Sequence, residues 1–317
     1  MRKELHEENR RSWNEAIIAH NSHRGDQAAF FRNGGTTLFP EELELLGDLG
    51  GLEVVHLQCN AGQDTLSLAG LGASVTGVDI SDTAINFARA HSQETGIAAT
   101  FVRSDLYDWL EETAKGSTRF DRAFCSYGAL CWLSDIERWA TGVAGILREG
   151  GSLVVIDHHP VALMFDWEGN RTFPYTTQGE ALSFEEGVGD YVAESGQGLP
   201  GMAYAPGIQN FTNPYPHHEF YWGLGDIVTA VLESGLTLTS LHEYLYDNSG
   251  PVFSGMSLSG GRWYLPADQP TLPLLFSLTA RKERVHGGRE TSVIQEEKAT
   301  GLLSEKGEPD ADGEAQQ

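Results

Sequence analysis

Two histidine pairs carry the side chains best suited to acid–base or ligand chemistry. Asp157-His158-His159-Pro160 follows the apolar run Ser152–Ile156. An imidazole with an ordinary pKa of about 6.5 accepts a proton at neutral pH, so His158 and His159 are candidate bases. His217-His218-Glu219 lies beside Tyr215, Phe220, Tyr221 and Trp222. His and Glu are metal-ligand types, but adjacent side chains diverge and no H-x-x-x-H spacing accompanies them, so no metal is expected. His217, His218, Trp222 and, farther back, Trp132 are assigned to substrate contact. A third feature is the carboxylate Asp79, which ends the run Ser74–Val78, 17 residues after Gly62. A carboxylate so placed accepts hydrogen bonds from both hydroxyls of a ribose. Ahead of it, Gln58-Cys59-Asn60-Ala61-Gly62 makes a short turn, mostly of small residues. Backbone N–H groups and a helix N-terminus can face a ligand there. With one glycine, it is not the G-x-G-x-x-G dinucleotide fingerprint.

These groups need rigid elements behind them. Glu53–Leu57, Ser74–Val78, Thr100–Arg103, Asp121–Cys125 and Ser152–Ile156 read as buried strands. Between them Asp64–Leu71, Thr83–Glu94, Leu106–Ala114 and Asp135–Leu147 read as amphipathic helices. This alternation predicts a doubly wound, mostly parallel α/β sheet, which binds ligands at the carboxyl ends of its strands. The first 20 residues predict a short amphipathic helix outside the core, and Leu38–Leu49 a second helix stopped by Gly50-Gly51. Residues 160–221 lack a period and are rich in Gly, Pro, Tyr and acidic groups, which points to a functional insertion or lid. The helix Gly225–Ser234 and the strands Leu236–Tyr246 and Leu272–Ala280 suggest a closing antiparallel hairpin.

HLQCNAGQDTLSLAGLGASVTGVDIS, followed by FVRSDLYDW, resembles the class I S-adenosylmethionine-dependent methyltransferases of small-molecule type, from about Trp13 to Lys282. The resemblance implies a Rossmann-like, seven-stranded sheet with helices on both faces. It also implies a helical cap over residues 1–50, a methyltransferase domain over 51–282 and S-adenosylmethionine as cofactor. In that pattern Gln58, Asn60, Ala61 and Gly62 cradle the methionine part, with Gln58 able to donate its amide to the carboxylate. Asp79 and Ile80 flank the ribose; Ser104, Asp105 and Leu106 meet the adenine. Ser126 and Tyr127 line the sulfonium, and Trp13 and His20 of the cap fold over the amino-acid end. The family's turn usually has an acid in its strand and two or three glycines. Here His56 replaces the acid, and Gln58 and Asn60 replace glycines.

Composition narrows the acceptor. The 317 residues carry a formal charge of −24, with 45 acidic against 21 basic side chains. Such a surface repels phosphate backbones, so nucleic acid is not expected as a partner. Aromatic faces and a negative field suit a cation, which makes a small amine the expected acceptor; a protein acceptor and a non-catalytic binding role are the alternatives. From Glu283 onward nine acidic and four basic residues make an aperiodic tail of net charge −5, expected to be disordered, leaving −19 on residues 1–282. The N-terminus lacks the apolar core of a signal peptide and no run is long enough to span a bilayer, so a cytoplasmic protein is expected. Cys59, Cys125 and Cys131 have neither disulfide-framework nor zinc spacing.

Overall fold

The computed structural model describes residues 1–198 and 200–284; most of the acidic tail lies outside the described residues. The chain opens with α1 (Lys3–Ser22), α2 (Gln27–Arg32) and α3 (Pro40–Leu46). The alternating core follows as β1 (Glu53–Leu57), α4 (Gln63–Gly70), β2 (Ser74–Asp79), α5 (Asp82–Thr95), β3 (Thr100–Arg103) and α6 (Leu106–Lys115). It continues through β4 (Phe120–Ser126), α7 (Ile136–Ile146) and β5 (Leu147–His158). Then come β6 (Leu182–Phe184), α8 (Tyr191–Ser195), β7 (His217–Glu219), α9 (Leu224–Glu233) and β8 (Leu236–Tyr244). The last elements are β9 (Tyr246–Asp247), β10 (Ser257–Ser259), β11 (Arg262–Tyr264) and β12 (Leu275–Lys282).

Seven strands form the central sheet in the order β3-β2-β1-β4-β5-β12-β8. β1 to β5 pair in parallel, and β12 runs antiparallel between β5 and β8. Strand alternation sends neighbouring residues to opposite faces, and both are apolar. Val55, Ala123 and Val155 meet Leu110, Trp139, Val143 and Ile227 from α6, α7 and α9. Val54, Phe124 and Val154 meet Leu46 and Leu68 from α3 and α4. Local signals set the helix ends: Ser81 caps α5 through Ala84 N–H at 3.0 Å, and Asp105 caps α6 through Tyr107 N–H at 2.9 Å. No described helix is long and apolar enough to cross a membrane.

Three expectations change. α1 contributes to the core, with Ala16, Ile17 and Ala19 fully buried, because the rest of the chain wraps it. The helix expected over Leu38–Leu49 spans only Pro40–Leu46; Gly47, at φ +66°, stops it before Gly50 is reached. Residues 160–221 contain regular pieces, a two-stranded β6–β7 sheet and α8, and a further small sheet, β10-β11-β9, lies before β12. Each of these strands has three residues or fewer, too few to show a period.

Candidate active site

The carboxyl ends of β1 to β5 open onto a cavity of about 1050 Å³. It sits where the strand order reverses between β1 and β4, the place at which open α/β sheets bind ligands. A volume this size exceeds the ordinary single-ligand range of about 300–1,000 Å³ and has room for two small ligands together.

The floor is built from strand ends. Gln58 and Asn60 after β1 line it, both left-handed at φ +54° and +50°. Asparagine tolerates that region; glutamine pays about 1 kcal/mol for it. Gln58 Nε2 donates to Ala129 O at 2.8 Å, which ties the turn after β1 to that after β4. One of its two amide N–H groups is thus engaged within the protein, which leaves the second as a donor. At the end of β2, Asp79 Oδ2 accepts Asn60 N–H and Oδ1 accepts Ser81 N–H, each at 2.8 Å. Burial raises the Asp79 carboxyl and these N–H groups pull it back down. Each oxygen keeps a lone pair for a ribose hydroxyl. Ile80 lies beside it, and Ser104, Asp105 and Leu106 continue the floor after β3. Asp105 Oδ1 caps α6, while Oδ2 meets His6 Nδ1 at 2.7 Å. Burial pushes that carboxyl up, but the His6 contact and the helix N–H groups hold it below its ordinary value.

Ser126 and Tyr127 after β4 complete the floor. The turn there is held by Asp157, whose carboxylate accepts the N–H groups of Gly128, Ala129 and Leu130. His158 follows Asp157 and turns into the cavity. Its Nδ1 lies 3.0 Å from Asp247 Oδ2, and the Asp247 side chain is fully buried. Ser249 N–H and Oγ–H, both at 2.7 Å, fix Asp247 Oδ1. Burial alone would lower the His158 pKa; Asp247, with Asp157 and Glu219 behind it, lifts it to about 9.

The roof comes from α1 and the insertion. Trp13 packs edge-on against Trp132 with centroids 5.3 Å apart, and Trp132 leans on His217 at 5.7 Å. All three line the cavity, as does Arg24, the only Arg or Lys among the described lining residues. Cys131 also lines it, but burial first and the Glu219 charge second raise its thiol pKa well above normal, so it stays protonated.

Six expected site residues lie off the cavity wall. His20 is buried under Tyr191 with Nε2 on Gly189 O at 2.8 Å, and burial lowers its pKa to about 4. Ala61 is fully buried, its N–H held at 2.7 Å by its neighbour's Asn60 Oδ1. Gly62 N-caps α4 at φ +82°, where an added Cβ would stand 2.7 Å from Ala88 Cβ and 2.8 Å from Phe101 Cε1. Its role is close packing. Gly62→Ala is expected to cost about 2–4 kcal/mol in denaturant unfolding, from overpacking plus positive φ; an unchanged midpoint would reject that role. His159 points the opposite way from His158, with Nε2 2.9 Å from Glu243 Oε1 on β8. His159→Gln is therefore expected to leave turnover within about twofold of wild type, since no reacting atom is near it; a large loss in a rate assay would return it to the site. His218 faces α1, with Nε2 on Glu8 Oε2 at 2.6 Å, because alternation on β7 sends it away from His217 and Glu219. Trp222 Nε1 donates to Leu133 O at 2.8 Å behind the cavity.

The geometry adds residues that pattern reading missed, His6, Arg24 and Asp247, and brings Glu219 of the His217-His218-Glu219 run to the cavity wall. Asp247 stands 89 positions from His158 and is marked in the sequence only as the start of a turn.

Comparison with known proteins agrees with this geometry. Residues 54–151 match a family described as a methyltransferase domain. The CcbJ methyltransferase from Streptomyces caelestis superposes with a TM-score of 0.53, covering 87% of this chain and 99% of that one at 15% identity, a likeness of fold. The ubiquinone biosynthesis O-methyltransferase of Rhizobium etli is 28% identical over 127 residues, 40% of this chain and 49% of its own. Its namesake in Shewanella halifaxensis is 34% identical over 61 residues, 19% of this chain and 26% of its own. The chain thus spans between a quarter and a half of the length of these curated relatives. Residues 54–151 thus match a methyltransferase domain, and they lie within a seven-stranded, mostly parallel sheet in the order described, a Rossmann-like methyltransferase fold.

Proposed function

We propose that this chain transfers the methyl group of S-adenosylmethionine to a small-molecule acceptor, an amine nitrogen, with His158 taking the proton. The observation that carries this reading is the His158–Asp247 pair: Nδ1 is fixed by a buried carboxylate while the ring opens to the cavity beside the strand ends. S-adenosylmethionine, when bound, supplies a methyl on a sulfonium, which leaves by in-line displacement. The residues present suit that cofactor. Asp79 has lone pairs for the ribose hydroxyls, Asp105 and Leu106 flank the adenine end, and Arg24 offers a cation to the methionine carboxylate. Trp13 and the 160–221 insertion roof the site, so residues 1–50 act as a cap and the insertion as a lid that excludes water.

The chain's own work is then positioning and one proton transfer. An ammonium must lose a proton before nitrogen has a lone pair to attack with. Free alkylammonium groups have pKa values of about 10 and His158 about 9, so transfer to Nε2 of the neutral ring is uphill by only about one unit and is drawn forward as the freed amine takes the methyl. Asp247, 3.0 Å from Nδ1, stabilises the imidazolium. The acidic chain charge speaks against nucleic acid as acceptor, and a roofed cavity suits a metabolite better than a protein tail.

A panel of amine, phenol, thiol, carboxylate and basic-peptide acceptors, assayed by mass spectrometry, tests the reading. Methylated amine is the expected product. Phenol methylation alone would move the acceptor to oxygen, the chemistry in the curated relatives' names, and peptide methylation alone would make this a protein methyltransferase. Cofactor binding with no product from any acceptor would leave a binding protein. No binding of S-adenosylmethionine or its demethylated product would remove the whole reading.

A further inference from the structure

We infer that Glu219 is the specificity-determining residue for the acceptor, holding its cationic group against the Trp13–Trp132 wall. The inference rests on the methyltransferase reading and names how that site would choose its substrate.

The argument starts from the carboxylates of the cavity lining: Asp64, Asp79, Asp105, Glu194 and Glu219. Four have evident occupations. Asp64 accepts the Thr37 hydroxyl and feels the Arg24 charge. Asp79 and Asp105 are tied to backbone N–H groups, Asp105 also to His6. Glu194 is exposed at the mouth. Glu219 differs: its side chain is only 19% exposed, and its neighbours are the Tyr221 hydroxyl and His217 Nε2 at 3.5 Å. No Lys or Arg among the described residues pairs with it. A carboxylate this enclosed, with no Lys or Arg beside it, is open to a closer cationic partner, and an incoming ammonium would supply one.

The surroundings match the same guest. Glu219 and His217 share one face of β7, and that face looks into the cavity, while His218 between them is turned to α1. Trp132 lies against His217 at 5.7 Å and Trp13 against Trp132 at 5.3 Å. Indole faces attract ammonium ions and pack against an apolar body. Glu219 and His158 line the same cavity, so a cation held by Glu219 shares that space with the proton acceptor. The acceptor class is therefore an amine carrying an aromatic or other apolar body. A carboxylic acid in the same position would face like charge.

Calorimetry tests this on the full chain saturated with S-adenosylhomocysteine, using phenethylamine and phenethyl alcohol as probes. The amine is expected to bind at least about tenfold more tightly than the alcohol, with affinity falling as salt rises. Glu219→Gln is expected to weaken the amine at least about tenfold, and Glu219→Asp to restore part of the loss, while S-adenosylhomocysteine affinity stays within about twofold. Retained S-adenosylhomocysteine binding also certifies that each variant is folded. Equal binding of the alcohol, no binding of the amine, or an amine affinity unchanged in Glu219→Gln would each overturn the inference. Failure of wild type to bind S-adenosylhomocysteine would instead overturn the methyltransferase reading beneath it.

Discussion

His158→Ala is expected to lower single-turnover methyl transfer by about 10²–10⁴-fold, the usual contribution of a positioned proton acceptor, while S-adenosylhomocysteine affinity stays within about twofold. The split follows from the proposed roles, with His158 serving the acceptor and Asp79 the cofactor ribose. pH sharpens the test. The groups acting on His158 are Asp247 at 3.0 Å, Asp157, whose oxygens are already occupied by N–H groups, and Glu219 across the cavity. Together they outweigh burial and set its pKa at about 9. Only the neutral ring can accept a proton, so kcat/KM should rise with pH and level off near about 9. Asp247→Asn should move that break to lower pH, because burial then acts with less opposition. A wild-type break that persists in His158→Ala would remove His158 from the reaction. Stability has the opposite sign. A His pKa raised by folding contributes fully below the unfolded value of about 6.5 and is lost as pH rises through about 9.

Asp79→Ala is expected to weaken cofactor binding by about 10²–10⁴-fold, measured by calorimetry with S-adenosylhomocysteine. Two charge-assisted hydrogen bonds to ribose hydroxyls, at about 1.5–3 kcal/mol each, account for that range. Alanine also strands the N–H groups of Asn60 and Ser81, so part of the loss would come from a disordered turn. Asp79→Asn separates the two causes. It keeps the shape and one acceptor, and should give an intermediate loss in a protein with wild-type near-UV circular dichroism. A folded Asp79→Asn chain with wild-type affinity would show that the ribose lies elsewhere.

The sequence was most legible where a residue's role depends on its own element. Asp79 ends a strand and Asn60 tolerates positive φ, so both could be placed at the cavity from local rules. The helices and strands of the core could be placed for the same reason: their apolar periods reflect burial on one face or two. The histidine pairs were half legible. Adjacent side chains on a strand point to opposite sides, so one member of each pair had to leave the site. Which member left depends on the register of β5 against β12 and of β7 against β6, and neither register is written locally.

What the sequence by itself determined is thus the alternating α/β architecture, the family resemblance and the floor of the cavity, because these follow from short-range periodicity and from turns at strand ends. What only the tertiary structure decided is the roof and the partner of His158. Asp247 reaches His158 across 89 residues, His6 reaches Asp105 across 99, and Glu219 comes to the cavity on a strand of three residues. Each of these pairings arises from packing of α1, the insertion and the small sheet over the strand ends. Burial then sets their charges, and no local pattern encodes burial produced by distant parts of the chain.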